Sequence, residues 1–385
     1  MDDVLNHAFQ NWAQRLGDDL AAGSPLPSRA AGPKAGSQGL LHRGLDEALA
    51  FGPAFDGAMS NHLPMALHAA WEMGADAPRL QALLEHERPK LALAGPATQA
   101  QQASALRAVQ RRMAGTAGAD EWLQRRGQPE DFPWLQAYFA ALLARQPAAQ
   151  VLGSHLEGLL RSPHAFAFHG LIRTAHAWES AHPGELAAAL ATWAAWWELL
   201  PSGNVGGAAM APADWTQALR SHTKDWRSEL PMIIYRMRSA SETPLYAGLA
   251  ERLAPASGLG QRREQLLEVA REAYLHSRNF TVLHLITGLR ALRVLRPLLP
   301  ASVDQQPLVA ALDRATVAGW MAGRLQWQDA LPAFAEEAWP ALHRAALAQD
   351  DEHVIKGVHA CWQEDTRAPD PRWRQVAQRM LEGRA

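Results

Sequence analysis

The run LAAALATWAAWW, from Leu186 to Trp197, constrains the fold more than any other part of the chain. It consists mainly of strong helix formers and lies between Glu185 and Glu198. A helix that crosses a bilayer needs about 20 apolar residues, so this run is too short to span one. Because it is apolar on every side, it predicts a helix buried inside a globular protein.

The rest of the composition also favours helix. Ala, Leu, Glu, Gln and Arg dominate, and no stretch combines period-2 alternation with β-branched enrichment. The predicted fold class is therefore all-α, a large multi-helix bundle that forms either one body or two helical lobes around one central site. No self-similarity with a period of a helical repeat is present.

The predicted organisation is an N-terminal region, residues 1–44, followed by one helical domain, residues 45–385, with a lobe boundary near 201–212. The N-terminal region contains a helix from Val4 to Ala21 and an arm rich in Gly and Pro from Gly23 to Gly39. Further helices are predicted at 44–51, 64–74, 76–86, 98–114, 118–126, 132–145, 150–161, 166–180, 184–200, 212–222, 226–237, 243–252, 261–276, 279–298, 305–321, 327–347, 349–364 and 370–382.

Bulk properties exclude several classes of partner. The formal net charge of -2 gives no reason to expect a nucleic acid or an anionic membrane surface. Cys361 is the only cysteine, so no disulfide forms within the chain. The start, MDDVLNHAFQ, is acidic and does not resemble a signal peptide. We expect a soluble, cytoplasmic protein, and the sequence leaves its oligomeric state open.

No local motif identifies a chemistry. The chain contains no HExxH, no CxxC, no Gly-x-Ser-x-Gly, no dinucleotide fingerprint and no P-loop. The candidate functional residues are therefore sought among the sixteen histidines. Six of them have polar surroundings or lie near helix ends and are predicted at the surface: His7, His42, His86, His155, His222 and His343.

His62 follows the helix-capping types Ser60 and Asn61 and precedes Pro64, which predicts that it lies at a helix start. The positive end of the helix dipole favours a neutral imidazole there, the form that binds a metal. The alternative is that His62 is only part of the cap.

His169, Arg173 and His176 fall on one stripe of an otherwise apolar helix. Such a stripe is either hydrogen-bonded inside the core or faces a cavity. Arg173 could hold a phenolate, but a structural ion pair is the preferred interpretation.

His284 lies in the apolar helix NFTVLHLITGLRALRVL, on a stripe of small or hydroxylated residues. A helix this apolar is buried, so His284 must have a partner, and small neighbours let other groups approach it. The alternative is a core histidine bonded to a backbone carbonyl.

The segment DEHVIKGVHACWQED carries His353 at the edge of an apolar face, with Gly357 and Ala360 on its stripe. Lys356 is about 60° away around the helix and His359 about 120°. The helical wheel predicts that His359 is solvated and places Lys356 at the border between the apolar and the solvent-exposed side of the helix.

Four of these segments are similar to the recurring blocks of the questin oxidase-like proteins: NHLPMAL at 61–67, FHGLIR at 168–173, TVLHLITG at 281–288 and HVIK at 353–356. The resemblance extends from about residue 45 to 365, in the expected order. It implies a helical enzyme that oxidatively opens a ring of an anthraquinone. The family reaction has been described both as an NADPH-dependent Baeyer–Villiger oxidation and as ring cleavage by a non-haem iron dioxygenase.

Under the metal description, the resemblance implies that His62, His169, His284 and His353 bind a metal with Lys356 beside it. It assigns no role to His176. Four neutral imidazoles suit Fe(II), although zinc and copper also accept imidazole. They leave the charge of the dication uncompensated.

Lys356 is therefore expected either as a neutral amine ligand, favoured by burial beside a cation, or as a carbamate. The carbamate, formed with carbon dioxide, is preferred because it supplies negative charge.

The predicted function is an iron-dependent oxygenase that cleaves or oxidises a polycyclic aromatic or quinone-type substrate with dioxygen. Two alternatives stay open: an NADPH-dependent Baeyer–Villiger monooxygenase without a tight metal, and a non-catalytic helical protein that binds an aromatic ligand. Some of the fifteen tryptophans could line a pocket for a flat substrate, but most, including Trp193, are predicted in the core.

Overall fold

The computed structural model describes residues 38–55, 59–91, 104–105, 107–109, 120–204 and 207–382. These residues form many helices and one two-stranded sheet, so the all-α prediction is confirmed. The predicted helix from Val4 to Ala21, the arm up to residue 37 and most of the predicted helix at 98–114 lie outside the described residues.

The chain divides into two compact units. The first unit combines the chain up to Leu156 with Arg173–Trp197, and the second combines Glu157–Ile172 with the chain from Glu198 onward.

The first unit contains a small hairpin and the N-terminal helices. Two helices, α6 and α7, continue from one unit into the other. The elements are α1 (Gln38–Ala48), β1 (Ala54–Phe55), β2 (Met59–Ser60), α2 (Leu63–Glu72), α3 (Ala77–Glu87), α4 (Glu121–Arg125), a 3-10 turn (Pro129–Asp131), α5 (Phe132–Leu143), α6 (Ala148–Leu160), α7 (His169–Ser180) and α8 (Pro183–Ala195). The strands pair antiparallel, with Ala54 opposite Ser60 and Phe55 opposite Met59.

Helix α8 is the centre of the first unit. Its side chains from Glu185 to Ala195 are all buried, and it packs along α5. The prediction that the apolar run forms a buried helix is therefore confirmed. Trp193, at its middle, is fully buried, as predicted.

The second unit contains the remaining helices. They are α9 (Pro212–Thr223), α10 (Ile233–Ser241), α11 (Pro244–Leu249), α12 (Leu259–Ser277), α13 (Phe280–Leu295), a 3-10 turn (Arg296–Leu298), α14 (Gln306–Gly323), α15 (Trp339–Leu347), α16 (Glu352–Arg367) and α17 (Arg372–Leu381). Among the described helices of both units, none is long and apolar enough to cross a bilayer.

Helix α13 is the core of the second unit and packs against α12, α14 and α16. Its residues from Thr281 to Leu292 are buried, as the apolar sequence predicts. Asn279 caps it, since the Asn279 side chain accepts from the backbone N–H groups of Thr281 and Val282. This cap fixes where α13 begins and therefore where His284 lies.

A buried ion-pair network attaches α16 to α13. The carboxylate of Glu364 on α16 is buried and lies 3.0 Å from Nε of Arg293 on α13. It also pairs with the buried guanidinium of Arg263 on α12. Removing one partner from such a network leaves an uncompensated buried charge, so the register between α16 and α13 is firmly set.

The predicted helix at 166–180 begins only at His169. Phe166, Ala167 and Phe168 have φ values of 55°, 55° and 69°, so the chain makes a left-handed turn before the helix. Each non-Gly residue in this conformation costs about 1–2 kcal/mol. The Phe168 ring offsets part of this cost by packing where Gly288 of α13 and Gly319 of α14 leave room for it.

Two other predicted helices start late. The helix predicted at 226–237 begins at Ile233, because the Arg236 guanidinium holds the carbonyls of Leu230 and Pro231 outside a helix. The helix predicted at 327–347 begins at Trp339.

The segment before Trp339 is held in an extended path by α12. The backbone of Gln328 exchanges hydrogen bonds with the backbone and the ring of His276, and Trp327 stacks on that ring.

We expect Gly288→Val to lower the free energy of unfolding by about 1–3 kcal/mol, the usual cost of overpacking. A Cβ at this position lies 3.3 Å from the Phe168 ring, which the left-handed turn keeps in place. Gly248→Val is the matched control, since a Cβ at Gly248 meets nothing within 4 Å. Urea unfolding of both variants measures the difference, and equal losses would exclude a role for the contact with Phe168.

Candidate metal centre

Three of the four predicted ligands lie together in the second unit. His169 begins α7, His284 lies on α13 and His353 lies on α16, and all three are buried. One ring nitrogen from each lies within 4.8 Å of one ring nitrogen of the other two. The ring centroids are 4.9 Å apart for His169 and His284 and 5.4 Å apart for His284 and His353.

Two of the rings are oriented by carbonyls of their own chain segments. Nδ1 of His169 donates to the Phe166 carbonyl at 2.6 Å, and Nδ1 of His284 donates to the Phe280 carbonyl at 2.8 Å. A carbonyl only accepts, so the proton is on Nδ1 and the lone pair is on Nε2. The backbone bond considered as an alternative role for His284 is present, and it is also the bond that typically orients a metal-ligating histidine.

His353 is oriented by carboxylates. Its Nδ1 lies 3.2 Å from Oε1 of Glu352 and 3.4 Å from Oδ1 of Asp351. Asp351 also caps α16, because it accepts from the His353 N–H at 2.9 Å. The Phe280 ring packs edge-on against both His284 and His353, with centroid distances of 4.7 and 4.6 Å. These contacts give each of the three imidazoles a defined orientation.

Lys356 lies one helical turn after His353 and is buried, with 2% of its surface exposed. A lysine is rarely buried to this extent without a function or a partner. Helical spacing places it on the same side of α16 as His353.

His359 is fully buried, so the prediction that it is solvated was wrong. The Gln363 amide donates to its Nε2 at 3.2 Å, and Gln363 in turn accepts from the guanidinium of Arg290 on α13. The polar side of α16 thus faces a polar part of α13 instead of solvent.

The fourth predicted ligand, His62, belongs to the first unit. It is the N-cap residue of α2 and is half-buried. Its side chain makes no capping hydrogen bond to the helix, and it is Asn61 that accepts from the Leu63 N–H at 3.1 Å. The predicted helix start is confirmed, and the capping side chain is Asn61.

Arg173 forms the predicted structural ion pair. Its Nε and Nη2 lie 2.6 and 2.8 Å from the two carboxylate oxygens of Glu185, and both side chains are buried. This bidentate geometry satisfies the guanidinium and holds α7 against α8. His176, on the same stripe, contacts His68 of α2, a pairing that the sequence analysis did not find.

The prediction of surface histidines was wrong for His155. Its ring is buried, with Nδ1 donating to the Val151 carbonyl at 2.7 Å and Nε2 lying 3.3 Å from the Tyr138 hydroxyl. The others are exposed (His86 and His222), half-buried (His42 and His343) or outside the described residues (His7).

A cavity of about 430 Å³ lies in the second unit between α9 and the end of α14. Two tryptophans, Trp320 and Trp327, line it together with the cationic side chains of Arg220, Lys224 and Arg324. None of the predicted metal ligands lines this cavity. At least two tryptophans therefore border open space.

His164, in the turn before the first ligand, is buried and uncharged. Neither ring nitrogen has a hydrogen-bond partner among the described residues, and the nearest carboxylate oxygen, on Glu198, is 3.9 Å from Nε2. Burial, assisted by the charges of Arg238 and Arg314, lowers the pKa of His164 to about 3.

Buried clusters of imidazoles inside an all-α fold define a helical protein that could hold a metal ion. Residues 59–240 match the family model described as questin oxidase-like. This match supports the predicted resemblance to that family over these residues, which make up just under half of the chain. The blocks at 61–67 and 168–173 lie inside the matched residues, and those at 281–288 and 353–356 lie beyond them. The family implies an oxidoreductase. None of the curated proteins compared with the chain matches it significantly.

We expect the buried His164 to make the fold sensitive to acid. Its unfolded pKa is near 6.5 and its folded pKa about 3, so the unfolded state binds the extra proton between these values. The contribution of His164 to the free energy of unfolding is therefore fully present above pH 6.5 and is lost as the pH falls toward 3. The loss between pH 7 and pH 5 is about 2 kcal/mol.

Urea unfolding at both pH values tests this. Between pH 7 and pH 5, the free energy of unfolding of His164→Leu should fall by about 2 kcal/mol less than that of the unchanged chain. His222→Leu, at an exposed site, is the control and should not alter the pH dependence. An unaltered dependence in His164→Leu would contradict the assignment.

Proposed function

We propose that this chain is a metal-dependent oxygenase. It holds Fe(II) through His169, His284 and His353. It acts on a polycyclic aromatic or quinone-type substrate with dioxygen. The observation that carries the proposal is the convergence of three buried imidazoles from three separate helices, with ligand atoms within 4.8 Å of one another.

The donor set fits a first-row divalent metal. Imidazole nitrogens suit iron, zinc and copper, and the backbone hydrogen bonds at Nδ1 of His169 and His284 leave Nε2 of each ring as the nitrogen available to a metal. Ligands from facing helices are the usual way in which a helical bundle builds a metal site. Iron(II) held there would supply the redox chemistry by which dioxygen oxidises an electron-rich phenol.

The protein side chains supply position, charge and exclusion of water. The carboxylates of Glu352 and Asp351 lie on the Nδ1 side of His353 and would orient its ring for binding. The apolar faces of α13 and α16, with Phe280 packed against the rings of His284 and His353, would limit the access of water. A phenolate or hydroquinone substrate would supply the electrons, so no nucleotide reductant is needed.

Lys356 completes the proposed set as a carbamate. The neutral amine would attack carbon dioxide, forming a nitrogen–carbon bond and releasing one proton, and the product would offer an anionic oxygen. It would compensate part of the charge that the neutral imidazoles leave on the dication. We expect high-resolution electron density to show a modified Lys356 directed at the metal. An unmodified side chain directed away would exclude the carbamate.

Two alternatives remain distinguishable. An NADPH-dependent Baeyer–Villiger monooxygenase would need NADPH and would stay active under strong chelation. A non-catalytic binding protein would hold an aromatic ligand unchanged. The family match favours an enzyme over a non-catalytic protein, and the converging imidazoles favour the metal-dependent enzyme over both alternatives.

Metal analysis of full-length protein, prepared without chelator and supplied anaerobically with Fe(II), tests the proposal. We expect His284→Ala and His353→Ala each to hold about one equivalent of iron less than the unchanged chain, because each substitution removes one imidazole ligand of the metal. Both variants should also lose chelator-sensitive dioxygen consumption with a quinone-type substrate.

His222→Ala is the matched control, since it removes an exposed histidine from the same unit. It should keep the iron content and the activity of the unchanged chain. Equal iron contents in all four proteins, or an activity that survives strong chelation, would reject the proposed function.

A further inference from the structure

A second cluster of metal-binding side chains lies entirely within the first unit. His68 on α2 is fully buried, and its Nδ1 lies 2.9 Å from Nδ1 of the buried His176 on α7. Glu179 follows His176 by one helical turn and is half-buried. One ligand atom from each of the three residues lies within 4.8 Å of the other two.

We propose that His68, His176 and Glu179 form a second binding site, for a divalent transition-metal cation of the iron or zinc type. The site is separate from the set that includes His284 and His353. It does not depend on the chain being an oxygenase.

The donor types match such a cation. Two imidazoles and one carboxylate on one side of a metal form a set that binds divalent iron and leaves other coordination positions open. The carboxylate supplies negative charge, which a buried dication requires. The other charged groups nearby on α7 and α8, Arg173 and Glu185, neutralise each other in their own bidentate pair.

The spacing also fits. His176-x-x-Glu179 places both side chains on one face of α7, at i and i+3. A carboxylate and a histidine at this separation on one helix, completed by a facing helix, recur in metal-binding helical bundles. Here α2 is the facing helix and contributes His68.

The 2.9 Å separation of the two Nδ1 atoms is compatible with shared coordination. Two nitrogens bound at about 2.1 Å to one ion, at roughly a right angle, lie about 3.0 Å apart. The same separation suits a hydrogen bond in which one imidazole donates to the other. The two interpretations differ over Glu179, because a hydrogen-bonded pair needs no carboxylate and a metal site does.

Zinc binding to metal-depleted full-length protein, measured by equilibrium dialysis and elemental analysis, tests the proposal. We expect the unchanged chain to bind about one equivalent more than Glu179→Gln or His176→Gln. Glu179→Gln should raise the dissociation constant of this equivalent at least about tenfold. His284→Ala should retain it, which separates the second site from the proposed iron site.

Glu85→Gln on the exposed face of α3 is the matched control and should bind as the unchanged chain does. Unchanged zinc binding in Glu179→Gln would overturn the proposal in favour of a hydrogen-bonded histidine pair. So would a chain whose entire zinc content disappears in His284→Ala. If His176→Gln does not fold, Glu179→Gln alone decides, since its half-buried side chain lies at the edge of the cluster.

Discussion

The hydrogen bond from Nδ1 of His169 to the Phe166 carbonyl is the interaction on which the candidate centre depends. It exists because the chain makes a left-handed turn through residues 166–168, which points that carbonyl at the imidazole. A right-handed helix over the same residues would use the carbonyl in its own ladder. The turn costs several kcal/mol for three non-Gly residues. Strain of this kind persists where the surrounding structure fixes it and is concentrated at functional sites.

The surrounding structure that fixes the turn comes from α13 and α14. Their glycines at 288 and 319 accept the Phe168 ring, and His284 lies one turn before Gly288 on α13. The same helix therefore supplies a ligand and the surface that holds the turn before another ligand. The buried carboxylate of Glu364 then links α16, which carries His353, to this helix. Local strain, glycine contacts and a buried ion pair thus act together on three imidazoles.

Much of this arrangement follows from the sequence. The burial of α8 could be predicted because it is apolar on every side, and that of α13 because most of its surface is apolar. The role of Arg173 followed from a charged residue on an apolar helix. The predictions that were wrong or missing depend on which residues of other chain segments lie nearby. A helical wheel assigned His359 to solvent because it cannot show that Arg290 of another helix binds Gln363, the hydrogen-bond partner of His359. The left-handed turn has no glycine to reveal it, and the contact between His68 and His176 joins residues 108 positions apart.

The two clusters differ in charge, and this difference bears on what each can hold. The set with His284 and His353 offers neutral nitrogens, and the carboxylates of Glu352 and Asp351 lie behind the imidazole at Nδ1. From there they would act through the ring on a metal bound at its other nitrogen. The cluster of His68, His176 and Glu179 carries its negative charge among the ligand atoms themselves. Neutral ligands stabilise a highly charged ion less than a set that includes a carboxylate. The set with His284 and His353 would therefore favour the lower oxidation state of a bound metal more than the cluster of His68, His176 and Glu179 would. A carbamate on Lys356 would remove that difference, so the proposed modification of this one lysine would set the redox character of a metal bound at the candidate centre.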